Sequence, residues 1–443
     1  MLLDTCSYAV KQALKQNADE AEAYALLERE AEVFLENNDL KQVKSHKIGS
    51  MGVRVFVKNA LGFASVNSLE KEKVLDAVNR AIKIASVSPK DKHNGLPKKN
   101  SVQMLKGIYD SNAEGFEPAD ATKCATELLK TARSYDSRVS VDSGTFNSSV
   151  LTHALYNSNS IELEERISVF SWDIMGMALD GNDVSNFDFQ FNGTHSAKDI
   201  DVATTAEDFA NTVVKSLNAR KIDSLKGSML LSPNAAHELI QGVLTFSINS
   251  NNVQKKTSRF ARKVGKTVAS KKLTVIDDAT FVDGLSAESF DREGVGHKRN
   301  VIIDKGVLKR YIYNTYTANK DRTKSTGNAV GGTTSPPSVG STNLIIEGDS
   351  KDLDHMIGEI KKGVLINRFS GNVNPVNGDF SGVVKGGHLI ENGNIVCPVK
   401  EVMVAGNVFD SMKNISGLSR ERKKIFDSFL PYMTIEGISF TGG

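Results

Sequence analysis

"GGHLIENGNIVCPVKEVMVAG" occupies residues 386–406, and its reading decides what kind of fold the second half of the chain adopts. Asn392-Gly393 is a strong two-residue turn signal, because both residue types accept the positive φ angles of a type I′ hairpin. β-Branched and small residues flank the turn on both sides without helical spacing. Such a turn sets Glu391 against Asn394, Ile390 against Ile395, Leu389 against Val396 and His388 against Cys397. Directly opposed residues have Cβ atoms about 5 Å apart, near enough for His388 and Cys397 to share a metal or form a thiolate–imidazolium pair. The ordinary alternative is a half-buried strand pair in which the cysteine serves as a small hydrophobe.

The same texture extends outward. "NVIIDKGVLKRYIYN" (300–314) is another hairpin, and glycine-separated β-branched runs continue to the end, so residues 226–443 are expected to form a β-rich domain. Its one clear helix is "NAAHELIQGVLTFSI" (234–248). Upstream, an amphipathic helix over about 4–16 precedes a hairpin, "GVRVFVKNALGFASV" (52–66), turning at Asn59 to Gly62. A helix over 68–87 follows, with Ser68 as its N-cap. "SPKDKHNGLPKKNS" (88–101) has the composition of an exposed linker. Helices are expected at 118–134 and 203–220, the second capped by Thr204 or Thr205, with strands between them. The expected class is α+β: domains at 1–98 and 99–225 with mixed sheets and helices, then the β-rich domain at 226–443.

Composition narrows the function. The net charge is +2 over 443 residues, and 40% of residues are hydrophobic and 24% charged, as in an ordinary globular protein. Basic clusters at Lys255-Lys256 and Arg420 to Lys424 lack interleaved aromatics, so neither nucleic acid nor a membrane surface is an expected partner. Three scattered cysteines suit a reducing compartment, and neither a basic-apolar leader nor a spanning apolar run is visible, which points to the cytoplasm.

The chemistry-bearing candidates are few. "HELIQG" (237–242) opens like the H-E-x-x-H zinc helix, whose two histidines face one ion while the glutamate polarises water. Gln241 and Gly242 stand where a second histidine is needed, so the alternatives are a degenerate metal site or a polar pair on an amphipathic helix. "FARKVGKT" (260–267) ends like a phosphate-binding loop but begins with Phe260 in place of glycine, and no G-x-S-x-G elbow occurs. "STGNAVGG" (325–332) suits a flexible loop beside a substrate. Its Ser325, Thr326, Gly327 and Asn328, with Asp379 of "NGDFSG" (377–382), are the substrate-binding candidates.

Ordered blocks of sequence carry a resemblance. They run "TSRFARKVGKTVASKKLTVIDDATFVDG" (257–284), "SFDREGVGHKRNVIIDKGVLKRYIYNTYTANK" (289–320), "STGNA" (325–329) and "STNLIIEGD" (341–349). "NPVNGDFSGVVKGGHLIENG" (374–393) and "PVKEVMVAGNVFDSMKNI" (398–415) complete them. In this order they resemble the TldD/PmbA family, also called modulators of DNA gyrase. "GSMGVRVFV" (49–57) fits that family's first domain. The TldD arm looks like a metallopeptidase, with H-E-x-x-x-H on a helix and a further cysteine ligand near the C-terminus. The PmbA arm, also called TldE, lacks those ligands. His237 and Glu238 match the first two motif positions, Gly242 replaces the second histidine, and "NISGLSRERKKIFDSFLPYMTIEGISFTGG" (414–443) holds no cysteine.

The resemblance implies a zinc-free, PmbA/TldE-like subunit of a peptidase complex acting on small or unfolded peptides. A TldD-like chain would be the partner and carry the zinc, the peptide would be held as an added strand, and the isolated chain would form a homodimer. Two alternatives remain: a self-sufficient metallopeptidase with a site rebuilt from His237, Glu238, His388 and Cys397, and a stand-alone peptide-binding module.

Overall fold

The computed structural model describes residues 2–443. Long alternating stretches in the first half form one antiparallel sheet. β1 (Glu20–Glu36) pairs with β2 (Asp39–Val57), and β2 with β3 (Ala60–Val66). Asn37-Asn38 and Lys58-Asn59 make the two turns, all four residues having φ between 49 and 65°. The second turn thus comes earlier than the glycine at 62 suggests, because Lys58 itself adopts the positive φ and frees Ala60 to Val66 for the strand. β4 (Val139–Asn157) pairs along β1, from Glu22 opposite Asn157 to Glu36 opposite Ser143. β5 (Glu162–Asp180) follows β4, and carries β6 (Asp183–Val184) and β7 (Asp188–Thr194). One seven-stranded sheet therefore crosses both N-terminal segments.

Helices cover this sheet in two patches. α1 (Leu2–Lys15) and α2 (Lys71–Val87) bury small residues, including Ala9, Ala13, Ala77 and Ala81, against Val53 and Val55. α3 (Pro118–Tyr135) and α4 (Val202–Lys215) cover Phe146, Phe170, Trp172 and Ile174, where Trp172 Nε1 donates to Thr205 Oγ1 at 2.8 Å. The caps differ from the expected ones. α2 starts two residues later than a Ser68 cap requires, and Asp201, not a threonine, accepts from Thr204 N at 3.0 Å to open α4. A carboxylate one turn earlier is the stronger acceptor for the free amides of that first turn.

Residues 88–101 are irregular but tied down. Tyr316 Oη donates to Asp91 at 2.8 Å, Asn94 to Asn59 O at 2.9 Å, and Asn100 bridges Gly294 O and Gly296 N at 3.0 and 2.8 Å. Leu96 is buried. The expected exposed linker is thus a strap laid between the two halves of the molecule, because its Asn and Asp side chains find fixed partners.

The second half forms a thirteen-stranded mixed sheet and a two-stranded one. In chain order the strands are β8 (Leu225–Leu231), β9 (Val275–Asp278), β10 (Arg299–Asp304), β11 (Val307–Leu308), β12 (Ala329–Val330), β13 (Ser338–Val339) and β14 (Leu344–Ile346). They continue with β15 (Lys362–Ile366), β16 (Arg368–Val373), β17 (Asp379–Lys385), β18 (Gly387–Glu391), β19 (Asn394–Val399), β20 (Met403–Asn407), β21 (Ile415–Ile425) and β22 (Ser428–Thr441). β8 lies centrally, parallel to β15 and antiparallel to β22. Asn392 and Gly393 turn β18 into β19 with φ of 49 and 78°. Beyond Ile390 opposite Ile395 a bulge shifts the ladder, so Leu389 faces Cys397 and His388 faces Pro398. The opposed His388–Cys397 pair is therefore not formed: one extra residue in β19 moves every later partner by one. No helix among the described residues is long and apolar enough to cross a membrane.

The two halves meet across buried charge. Arg54 on β2 donates to Glu22 of β1 and to Glu293, each at 2.8 Å, and Arg292 donates to Glu22 at 3.0 Å. All four side chains are buried. The turn carrying Arg292 and Glu293 is fixed by Asp291 Oδ1, which accepts from Glu293 N and Val295 N at 2.9 Å, and by Gly294 at φ 77°. A Cβ at Gly294 would come 2.7 Å from Ile161, so the close approach needs glycine. Arg54→Met leaves two buried carboxylates without their shared cation. The expected loss is about 3–5 kcal/mol in chemical denaturation followed by the fluorescence of Trp172, the single tryptophan; an unchanged unfolding curve would contradict the role given to this chain of charges.

Candidate functional site

The helix over 233–248 grows from the end of β8. Ser232 Oγ accepts from Ala235 N at 3.2 Å and Pro233 fills the first helical position, a standard start. Ala236, Leu239, Ile240, Val243 and Leu244 are buried in the C-terminal core, whereas His237, Glu238 and Gln241 are half-buried and Gly242 is exposed. Between Pro233–Ala236 and Gly242–Ile248, the residues His237–Gln241 form a π-helical turn. Such a turn closes on i→i+5 hydrogen bonds, so residues five apart stand one above the other, where an ordinary helix aligns residues three and four apart. That is the geometric reason a five-residue spacing suits this position: residues 237 and 242 share a face.

Gly242 leaves that face half empty. A Cβ built there meets no atom within 4 Å, and its φ of −63° is ordinary helix. Neither crowding nor backbone strain calls for glycine, which costs helix stability.

Glu238 is engaged. Arg368 Nε donates to one oxygen at 3.0 Å and the Phe369 amide of β16 to the other at 2.5 Å. Burial pushes this carboxyl above its usual range, with the Phe369 amide and the Arg368 guanidinium working against that. The carboxylate that would polarise water in a zinc helix here anchors β16 to the helix.

His237 is packed under an aromatic cover. Its Nδ1 lies 3.3 Å from Ser428 Oγ, and its ring centre 5.5 Å from Phe426, which contacts Phe189 and Phe191 of β7 at 5.8 and 4.6 Å. Phe426 turns β21 into β22 with φ 53°, a strained setting for a bulky residue. Asn234 of the helix donates to Phe189 O at 2.9 Å and Lys424 to Gly193 O at 2.6 Å, so side chains from the second half hold β7 against the site. Burial lowers the His237 pKa, with the Asp427 carboxylate opposing.

The other candidates lie apart. Thr326 and Asn328 are buried and bonded internally: Thr326 Oγ1 donates to Asn328 Oδ1 at 2.6 Å, and Asn328 Nδ2 to Asp277 at 2.6 Å. Gly327 turns the chain at φ 75°, and Ser325 Oγ donates to Tyr313 O at 3.1 Å. The loop expected to be flexible is thus hydrogen-bonded in place, with Ser325 at the wall of a neighbouring cleft. Asp379 is exposed and accepts from Asn407 at 2.8 Å. His388 contacts Lys215 O at 3.3 Å. Among the described residues no three His, Cys, Asp or Glu side chains are gathered to hold a metal ion. The donor set around His237 does not fit a catalytic zinc, which usually needs three protein ligands.

Sequence reasoning missed Arg368, Phe426 and Ser428. They lie 130 to 191 residues from the helix, and Phe426-Asp427 contains none of the Gly or Asn that marks a tight turn.

Three family models match the chain in succession: PmbA/TldA metallopeptidase domain 1 over residues 21–85, the central domain over 112–217 and the C-terminal domain over 224–442. An uncharacterized protein of Methanocaldococcus jannaschii is 30% identical over 383 residues, 85% of this chain and 86% of that relative. Metalloprotease PmbA of Escherichia coli O157:H7 is 25% identical over 408 residues, 90% of this chain and 88% of the relative. The crystal structure of TldE from Thermococcus kodakarensis superposes with a TM-score of 0.93 at 24% identity, covering 99% of this chain and all of that one, a likeness of fold.

Two outcomes are expected. Gly242→Ala raises stability by about 0.5–1 kcal/mol in chemical denaturation, since the added methyl meets open space; a loss would show a packing role for the glycine. By NMR, His237 titrates below the ordinary 6.5 and Phe426→Ala, which uncovers the ring, moves it upward. A depressed histidine pKa means the unfolded chain takes up the proton first, so this group's contribution is present above pH 6.5 and lost on acidification.

Proposed function

Because this chain belongs to the PmbA/TldD metallopeptidase family, we propose that it is a non-catalytic, TldE-like subunit of a peptidase complex whose partner is a TldD-like chain. The observation that carries the reading is the pairing of His237 with Gly242. The π turn presents both positions on one face, and glycine stands at the second for no local structural reason. The clamped Glu238 supports the same reading, because a carboxylate held by a guanidinium and a backbone amide is not placed to take a proton from water. One solved structure with a matching fold bears the name TldE. Within the complex the chain would complete a chamber for small or unfolded peptides in the cytoplasm, holding their main chain by strand addition, which tolerates varied sequences.

The rebuilt-site alternative loses its geometry with the shifted hairpin register, which sets Pro398 rather than Cys397 opposite His388.

Co-purification from the native host, with metal measured on the isolated chain and on the complex, tests the proposal. The expected result is a TldD-like chain in stoichiometric yield, and zinc that the isolated subunit loses on dialysis. Stoichiometric zinc that survives dialysis of the isolated chain and vanishes in His237→Ala would overturn it, as would EDTA-sensitive peptide cleavage by that chain alone. Recovery of no partner would favour the stand-alone binding module.

A further inference from the structure

A cleft of about 910 Å³ opens between the strap, the loop after Gly294 and the short helix Thr315–Asp321, away from the contacts His237 makes. Its charge is one-sided: Lys98, Lys99, Lys298 and Lys324 line it, and no aspartate or glutamate does. Outside it Arg299 pairs with Glu347 and Lys309 with Asp304, whereas these four lysines have no carboxylate at ion-pair distance among the described residues. All four are exposed, and Lys324 lies near enough to Lys298 for their like charges to repel, which an anion in the cleft would relieve.

Further observations describe the occupant. Val102, Val295 and Ala318 supply apolar wall, and Asn100 pins the strap so that the walls are fixed. Among the described residues the one ring lining the cleft is the His297 imidazole, whose side chain is buried, so the cleft lacks the succession of exposed rings on which nucleic-acid bases stack. Burial lowers the Lys298 pKa, and the charges of Arg310 and Lys324 add to that, with Asp291 opposing.

We propose that this cleft binds a short acidic peptide segment, its carboxylates set among Lys98, Lys99, Lys298 and Lys324 and its apolar side chains against Val102, Val295 and Ala318. The assignment rests on the peptide-handling reading above and deepens it, giving the subunit a preference for acidic peptides. A side-chain carboxylate and a free C-terminal carboxylate present the same chemistry to the lysines.

Fluorescence anisotropy on the full-length isolated chain tests this. The probes are a labelled hexapeptide of alternating alanine and glutamate with blocked ends, its glutamine counterpart, and a neutral hexapeptide with a free C-terminus. The expected result is at least about tenfold tighter binding of a carboxylate-bearing probe than of the blocked glutamine peptide, weakening with added salt. The Lys298→Gln/Lys324→Gln double variant removes most of that preference while keeping the native Trp172 unfolding curve. Tighter binding of the glutamate peptide assigns the site to acidic side chains; tighter binding of the free-terminus peptide alone assigns it to a chain end. Equal binding of all three probes, no binding, or an undiminished preference in the double variant overturns the proposal, as does stronger binding of an oligothymidylate. Because the assay needs no partner chain, its failure is separate from a failure to recover a TldD-like subunit.

Discussion

A buried row of alternating charges, Arg292, Glu22, Arg54 and Glu293, ties the first sheet to the second half of the molecule. Removing a guanidinium and a carboxylate from water is costly unless each finds an opposite charge at close range. The row therefore tolerates little displacement of β1 and β2 against the turn at 291–294. Arg292 also lies over the Tyr24 ring at 3.9 Å, and Glu293 accepts from Thr315 N at 2.8 Å. The same contacts place the helix Thr315–Asp321 and the strap, so the walls of the basic cleft depend on them.

The surroundings of His237 depend on a different constraint. β8 is sandwiched between β15 and β22, and the helix leaving it must lay its apolar stripe on the core. That fixes which face looks outward, and the π turn then sets which residues on that face align. Arg368 and Phe369 on β16 come to Glu238 because β15, directly before them, pairs with β8. The β21–β22 turn brings Phe426 over His237, and β7 of the other half completes the cover. His237 and Glu238 thus make contacts that belong to packing, the ring beneath Phe426 and the carboxylate held by Arg368 and Phe369.

Much of this was legible locally. The Asn392-Gly393 turn, the hairpin over 300–314, the helix over 234–248 and the amphipathic N-terminal helix follow from turn chemistry and from the placement of apolar residues, which act over a few positions. Asp201 rather than Thr204 or Thr205 caps α4 because its carboxylate accepts from Thr204 N, whereas α2 opens at Glu70 with no side-chain cap, two residues after Ser68. The strap at 88–101 looked like a linker because its partners, Tyr316 and Gly294, lie some two hundred residues away. The bulge after Ile390 left no mark in the residues, since valine, cysteine and proline in β19 fit either register.

Sequence by itself determined the family, most of the elements and that residue 242 offers no imidazole, because a glycine lacks one whatever the fold. Only the tertiary structure decided that Glu238 is held by Arg368, that His388 and Cys397 do not face each other, and that four lysines share a cleft without an acid. Those facts rest on contacts between residues distant in the chain, whose geometry is set by sheet order, strand register and buried charge, and no local pattern encodes them.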